Sequence, residues 1–387
     1  MLLYVHVPFC VRKCGYCAFH SGPFSRDAAR FYVRQVLREM ADWGRVLGRV
    51  PVESVYFGGG TPSLLEAGQI AALLEAADAG FLLSAGVEIT LEANPDSVLK
   101  DGFLGSVRGL GVNRLSLGVQ SLRDDALAML GRPHDGRQAR RAVHAARDAG
   151  FSNLSLDLIW GVPGQNVERW MDDLREVVEL APEHISCYGL SLEEGVPLTR
   201  QVEEGLLTMP DEESGARMYL DGSEFLESSG YAHYEISSYA RPGRESRHNR
   251  GYWAGDEYLG LGPAAVSTIK DRRWSNPAGL KDYAAAVAKG STRCEVEVLS
   301  ARTRLQEMVM LSLRTREGLG LEKFKATTGT EFPWRHPAVE QLRSSGLACL
   351  RAGHLQLTRK GMLVSNSVIE MVLGVLDRMP ATTAQES

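Results

Sequence analysis

The chain has 387 residues, of which 44% are apolar and 24% charged, enough to bury a sizeable core and too apolar for global disorder. Its 43 basic and 48 acidic side chains leave a formal charge of −5, which removes any general argument for nucleic-acid or anionic-membrane binding. No apolar run reaches the roughly 18 residues of a membrane span. The start, Met1-Leu-Leu-Tyr-Val5, is apolar but carries no basic leader or small-residue cleavage site, so a cytoplasmic protein is expected.

Short β-branched or aromatic runs alternate with longer helical patterns over the first two-thirds. Strands are predicted at Leu2–His6, Glu53–Phe57, Val87–Leu91, Asn113–Leu117, Asn153–Ile159 and His184–Leu190. Between them, apolar residues recur at helical spacing, as in Phe31, Val33, Val36, Leu37 and Met40, or Trp170, Leu174 and Val177. Six strand–helix repeats predict parallel strands with helical crossovers, too few for a closed eight-unit barrel. The expected fold is therefore α/β, a partial (βα)6 TIM-like barrel over residues 1–235. Residues 236–300, rich in Gly, Ser, Arg and aromatics, are expected to cover the barrel mouth. Residues 301–387 read as helix, helix, helix, hairpin, helix, with helices from Arg302, at Leu321–Thr327 and at Pro337–Ser345. A hairpin around Ala352-Gly353 and a helix over Gly361–Leu376 complete a winged-helix-like module. Twelve basic against eight acidic residues there make no dense stripe, so a packing or docking role is expected rather than DNA contact. Pro380–Ser387 reads as a loose tail.

Six cysteines in a chain this long do not form a disulfide scaffold. Three fall together, Cys10-Val-Arg-Lys-Cys14-Gly-Tyr-Cys17, directly after the first strand, while Cys187, Cys294 and Cys349 stand alone and read as inert thiols. Pro8 and Gly15 permit a tight loop on which three thiolates converge. A zinc site would need a fourth ligand, for which His6 and His20 are the near candidates. A four-iron cubane on three thiolates keeps one iron open for an exogenous ligand, which suits a catalytic cluster. Spacing alone leaves cluster, zinc and structural roles open, and the cluster fits best.

Cys-x3-Cys-x2-Cys with Tyr16 before the last cysteine resembles the radical S-adenosylmethionine enzymes. The resemblance implies a [4Fe–4S] cluster on Cys10, Cys14 and Cys17 with S-adenosylmethionine on the open iron. Other motifs fall at the carboxyl ends of the predicted strands, where ligands of parallel sheets bind. Gly58-Gly-Gly-Thr-Pro62 ends the second strand, and its N–H groups could receive the cofactor's amino-acid end. The resemblance places Gly59, Gly60 and Thr61 there. Glu92 ends the third strand, Gln120 the fourth, and Asp157 lies in the fifth. Three polar residues in otherwise apolar strands suggest one shared polar ligand, with Glu92 and Asp157 suited to ribose hydroxyls or an amine. Tyr4 and Arg132 match family positions that contact the cofactor.

Beyond the cysteine loop, the chain resembles the oxygen-independent coproporphyrinogen III oxidase-like group. The residues that carry this are Tyr4–Cys10, Gly58–Pro62, Leu117–Ser121, Asp157–Gly164, Tyr188–Glu194 and His233–Ser237. Phe19 stands where the oxidases carry a further cysteine, and no extension precedes the first strand, which points to the haem-chaperone branch. His248-Asn-Arg-Gly-Tyr-Trp253 resembles that branch's proposed haem segment, implying His248 as iron ligand with Tyr252 and Trp253 against the porphyrin. Relatives often carry histidine where Val266 stands. The resemblance implies haem as cargo, delivery to haem-accepting proteins (respiratory ones at the membrane among them), an electron donor and no nucleic-acid partner. Its rivals are the oxidase itself, another tetrapyrrole-modifying radical enzyme and a zinc-stabilised binding protein.

Overall fold

The computed structural model describes residues 1–378, so the predicted tail at Pro380–Ser387 lies outside the described residues. Each predicted barrel strand forms. They are β1 (Leu2–Val7), β2 (Pro51–Gly59), β3 (Leu82–Ala93), β4 (Arg114–Gln120), β5 (Leu154–Trp160) and β6 (His184–Gly189). They pair parallel in chain order. The crossovers include α1 (Arg26–Leu47), α2 (Ala67–Gly80), α3 (Phe103–Gly109), α4 (Gly136–Asp148) and α5 (Val167–Glu179). In α1, Ser25 caps the N-terminus by accepting from Ala28 N, and Tyr32, Val33, Val36 and Met40 form the buried stripe.

Strand residues that face the helices are apolar. Val55, Phe57, Ile89, Leu91, Leu115, Leu117, Leu154 and Leu156 join Val36, Met40, Ile70, Leu73, Val143 and Leu174 in one core. The alternate positions face the lumen and are polar almost without exception. Ser54 and Tyr56 of β2 are followed by Glu88, Thr90 and Glu92 of β3, and by Arg114 and Ser116 of β4. Ser155 and Asp157 of β5, then His184 and Ser186 of β6, complete the layer. Barrel interiors of this architecture usually fill with Val, Ile and Leu. Here they are wired by hydrogen bonds such as Ser155 Oγ to His184 Nδ1 at 2.8 Å.

After α6 (Glu212–Ser228) the sheet gains antiparallel β7 (Ala232–Glu235) and β8 (Ser238–Ala240) beside β6. The next segment corrects one expectation. Helix α7 (Arg247–Ala254), which carries His248, closes the floor of the barrel at the strands' amino ends, not the mouth. Glu88, early in the inward face of β3, accepts from Arg247 N and His248 N. Arg247 Nη1 donates to Gly86 O, and a Cβ on Gly251 would stand 2.6 Å from Leu2 Cδ1 at the start of β1. Then β9 (Tyr258–Leu261) pairs parallel with the outer edge of β1, a seventh parallel strand that periodicity did not reveal. Antiparallel β10 (Val266–Ile269), β11 (Arg272–Ser275) and β12 (Cys294–Val298) extend that edge, with α8 (Leu280–Ala288) between the last two. The twelve-stranded sheet runs β12-β11-β10-β9-β1-β2-β3-β4-β5-β6-β8-β7 and does not close on itself.

Residues 301–378 build a second core. The order is α9 (Ala301–Leu313), β13 (Leu319–Gly320), α10 (Leu321–Thr328), α11 (Pro337–Ser344), β14 (Ala348–Arg351), β15 (His354–Leu357), α12 (Arg359–Leu363) and α13 (Ser365–Leu376). The hairpin forms as expected, and β13 adds to it as a third strand.

Candidate cluster and cofactor site

The cysteine loop leaves the carboxyl end of β1 and is pinned at its neck. Phe9 and Cys10 pair with Gly22 and Pro23, Gly22 N donates to Pro8 O, and Phe24 N to Cys10 O. The loop then leans across the mouth. Gly15 O accepts from Leu198 N at 2.9 Å, and Tyr16 packs on Leu130, Ile159 and Val162 at the far strand ends. Cys14 is buried, Cys10 and Cys17 are half-buried, and all three are free thiols. Among the described residues, no three His, Cys, Asp or Glu side chains converge closely enough to grip one metal ion. A four-iron cluster spreads its thiolates wider than a single ion does. His6 has both ring nitrogens engaged, Nδ1 with Tyr4 Oη at 3.1 Å and Nε2 with His20 O at 2.9 Å, so zinc loses one of its two candidate fourth ligands. The donor set fits a cluster. Two of the sulfurs also carry hydrogen-bond donors, Thr61 Oγ1 on Cys10 at 3.7 Å and Arg132 Nη1 on Cys14 at 3.4 Å.

The glycine run ends β2 against this loop. A Cβ on Gly60 would stand 2.5 Å from Phe9 O, and Gly59 has a φ of +108°, so both must be glycine. Their amide N–H groups already have partners within the protein. Gly59 N donates to Glu92 Oε2, Gly60 N to Val7 O and Thr61 N to Phe9 O. The run's role here is to bring the end of β2 close to the cysteine loop.

Glu92, Asp157, Tyr4 and Tyr56 line the lumen just below. Tyr56 Oη donates to Glu92 Oε1 at 2.7 Å, and burial lifts the Glu92 carboxyl to about 7. Asp157 accepts from Ser116 Oγ at 3.0 Å and Ser155 Oγ at 3.2 Å, and burial raises its pKa as well. Burial also pushes the Tyr4 phenol well above its ordinary value. Gln120 sits at a bulge in β4 with a φ of +67°, a left-handed conformation that a non-glycine residue adopts at a cost of order 1 kcal/mol. Asn94 accepts from Arg132 Nη2 at 2.5 Å, and Arg114 lies buried in the wall; neither was singled out from the sequence.

The segment His248–Trp253, expected to meet haem, lies elsewhere. His248 is 1% exposed, its Nδ1 bonded to Ser54 Oγ at 2.8 Å, its ring stacked on Tyr56 at 4.7 Å and edge-on to Tyr252 at 4.9 Å. Burial depresses its pKa to about 3. Ser54 and Gly59 are five residues apart on β2, so His248 lies about 16 Å below the cysteine end. Trp253 is half-buried on the same helix, and Val266 is exposed on β10.

Comparison with known proteins gives the family and the fold. The Radical SAM superfamily model matches residues 4–177, and that of the HemN C-terminal domain matches residues 299–364. The "Heme chaperone HemW" of Mycobacterium tuberculosis (strain H37Rv) is 36% identical over 380 residues, covering 96% of this chain and 94% of that protein. That of Escherichia coli K12 is 33% identical over 375 residues, covering 96% and 97%. A mitochondrial relative from Bos taurus, "Radical S-adenosyl methionine domain-containing protein 1", is 34% identical over 407 residues, covering 100% and 89%. The chain belongs to the HemW family within the radical SAM superfamily. Coproporphyrinogen III oxidase (HemN) from E. coli shares its fold, with a TM-score of 0.82 at 24% identity over 96% of this chain and 89% of that one.

Proposed function

We propose that this protein is a haem chaperone that holds a [4Fe–4S] cluster on Cys10, Cys14 and Cys17, binds S-adenosylmethionine beside it, and passes haem to acceptor proteins. The observation that carries this reading is similarity to HemW over nearly the whole chain, barrel, floor and C-terminal module together. When bound, the cluster supplies the electron that cleaves the cofactor's sulfonium. The chain's own residues bind and orient. Glu92 and Asp157 offer carboxylates to ribose hydroxyls or an amine, Tyr56, Ser116 and Ser155 hold those carboxylates in place, and the barrel wall keeps water scarce. Gln120 and Tyr4 complete the polar rim. Acceptors include respiratory proteins at the membrane, and a separate donor supplies the electron. The protein acts from the cytoplasm; among the described residues no helix is long and apolar enough to cross a membrane.

In this conformation His248 is sealed from a haem iron, with its ring between Tyr56 and Tyr252. Haem coordination through His248 requires α7 to leave the barrel floor, and Glu88 clamps that helix. The test is to reconstitute the cluster anaerobically and offer haem and coproporphyrinogen III in parallel, with cofactor and reductant. A stable Soret band without porphyrin turnover is expected. Formation of protoporphyrinogen overturns the chaperone reading.

A further inference from the structure

Two of the three cysteines are joined to one another through side chains from the ends of β2 and β3 and from the turn after the short helix Asp124–Leu130. Arg132 Nη1 donates to Cys14 Sγ at 3.4 Å, and Nη2 of the same guanidinium donates to Asn94 Oδ1 at 2.5 Å. Asn94 Nδ2 donates to Thr61 Oγ1 at 3.3 Å, and that hydroxyl donates to Cys10 Sγ at 3.7 Å. From Arg132 outward every bond donates away from the guanidinium, and both terminal acceptors are sulfur. Arg132 is further anchored on Gly118 O at 2.8 Å. A Cβ on Gly118 would stand 3.3 Å from Nη2, so the wall fits the guanidinium closely. The amide of Asn94 has one sensible orientation. Turning it over would set its NH2 against the guanidinium, donor against donor.

We propose that Arg132, Asn94 and Thr61 form a strap that fixes the spacing of the Cys10 and Cys14 sulfurs and sets the reduction potential of the cluster on them. The proposal rests on the cluster assignment above. Hydrogen bonds to ligating sulfur stabilise the more electron-rich, reduced state, and outer partners orient the ligands they touch. A cluster on three thiolates has fewer protein anchors than one on four, so the two bonded sulfurs carry more of its placement. Asn94 is the hub, since it alone links the guanidinium on one cysteine to the hydroxyl on the other. All three are positioning residues, acting through the sulfurs. Arginine suits its place because a planar fork reaches two acceptors at once, which an ammonium cannot do with the same geometry.

The experiment uses the full chain, reconstituted anaerobically without S-adenosylmethionine. It reads iron and sulfide content, visible absorption, midpoint potential and the rate of iron loss to a chelator. Asn94→Ala and Thr61→Val are expected to shift the midpoint potential negative and to lose iron several-fold faster than wild type. Thr61→Ser, which keeps the hydroxyl, is expected to match wild type, and Arg132→Lys to behave like Asn94→Ala. The Thr61 pair guards against misfolding, because Val is nearly isosteric and the apo-protein melting point of each variant is measured alongside. Wild-type potential and wild-type iron loss in both Asn94→Ala and Thr61→Val overturn the strap, whatever those variants do to cofactor binding. Iron content that is unchanged in Cys14→Ala overturns the cluster assignment and the strap with it.

Discussion

Glu92 sits where a carboxylate is costly to ionise. Burial lifts its pKa to about 7, against an ordinary carboxylate value near 4.5. The folded apo-protein thus keeps a proton there that the unfolded chain releases. Its contribution to stability is complete below about pH 4.5 and is lost as pH rises through 7. Buried histidines act in the opposite sense. Burial depresses His134 and His233 to about 4 and His248 to about 3, so each withdraws stability as pH falls below its unfolded value of 6.5. The two slopes overlap, and the difference between wild type and Glu92→Gln isolates the first. Apo wild type is expected to lose stability relative to Glu92→Gln between pH 5 and 8, by roughly 1–3 kcal/mol in all, followed by urea unfolding at each pH. A parallel pair of stability curves would show that Glu92 is already ionised in the empty site. Ionisation is also what a cationic ligand rewards, so cofactor affinity is expected to rise with pH over the same window.

At the scale of elements, the amino end of the floor helix α7 is held by the Glu88 carboxylate. Glu88 caps its first amides, Ser54 holds His248, and the buried Arg114 guanidinium, whose charge burial opposes, relies first on Glu88 for compensation. Glu88→Gln keeps an acceptor but removes the charge that both the helix N-terminus and Arg114 use, so a loss of roughly 1–3 kcal/mol is expected. If haem reaches His248 by release of α7, the same variant takes up haem faster, read as growth of the Soret band. Unchanged uptake in a measurably destabilised Glu88→Gln excludes release of α7 as the gate. The strands and crossovers of this barrel were legible because period-2 and period-3.6 apolar patterns report burial against helices. The polar inward layer was equally present in the alternation Ser54, Tyr56, Gly58 and Glu88, Thr90, Glu92, yet only its mouth-end members stood out as motifs. The place of α7 was not legible. Its eight residues carry no sign of which end of the barrel Glu88 would recruit them to, since that contact joins residues 160 apart. Asn94 was hidden in a different way, as a helix-capping residue before Pro95 whose second function needs Arg132 beside it.

Across the whole molecule, two hydrophobic cores meet on one helix. Tyr219 of α6 packs into the C-terminal core, while Met218 and Leu226 of the same helix belong to the barrel core. The seam is also backbone-bonded, since Ile236 N donates to Arg314 O at 2.9 Å and Arg316 N to Tyr234 O at 3.0 Å. Arg359, from α12, reaches across to Glu224 and Glu227 on α6. A helix shared by both cores cannot lose one partner without exposing apolar surface to water, so the two are expected to melt as one calorimetric transition. The ion pair at Arg359 is partly exposed and contributes of order 1 kcal/mol, too little to break that cooperativity alone. Tyr219→Ala removes the ring from the second core and the hydroxyl from Ile236 O, a loss of roughly 3–5 kcal/mol concentrated at the seam. Tyr219→Ala is expected to split the transition, with the C-terminal module melting first, while Arg359→Ala keeps a single transition at slightly lower temperature. Two transitions already present in wild type would show that the module is held to the barrel only loosely. The strand β7 that supplies Tyr234 is separated from β6 by β8, but Tyr234 Oη bonds Nε2 of His184 in the inward layer of β6 at 2.9 Å, so the seam also bounds the lumen.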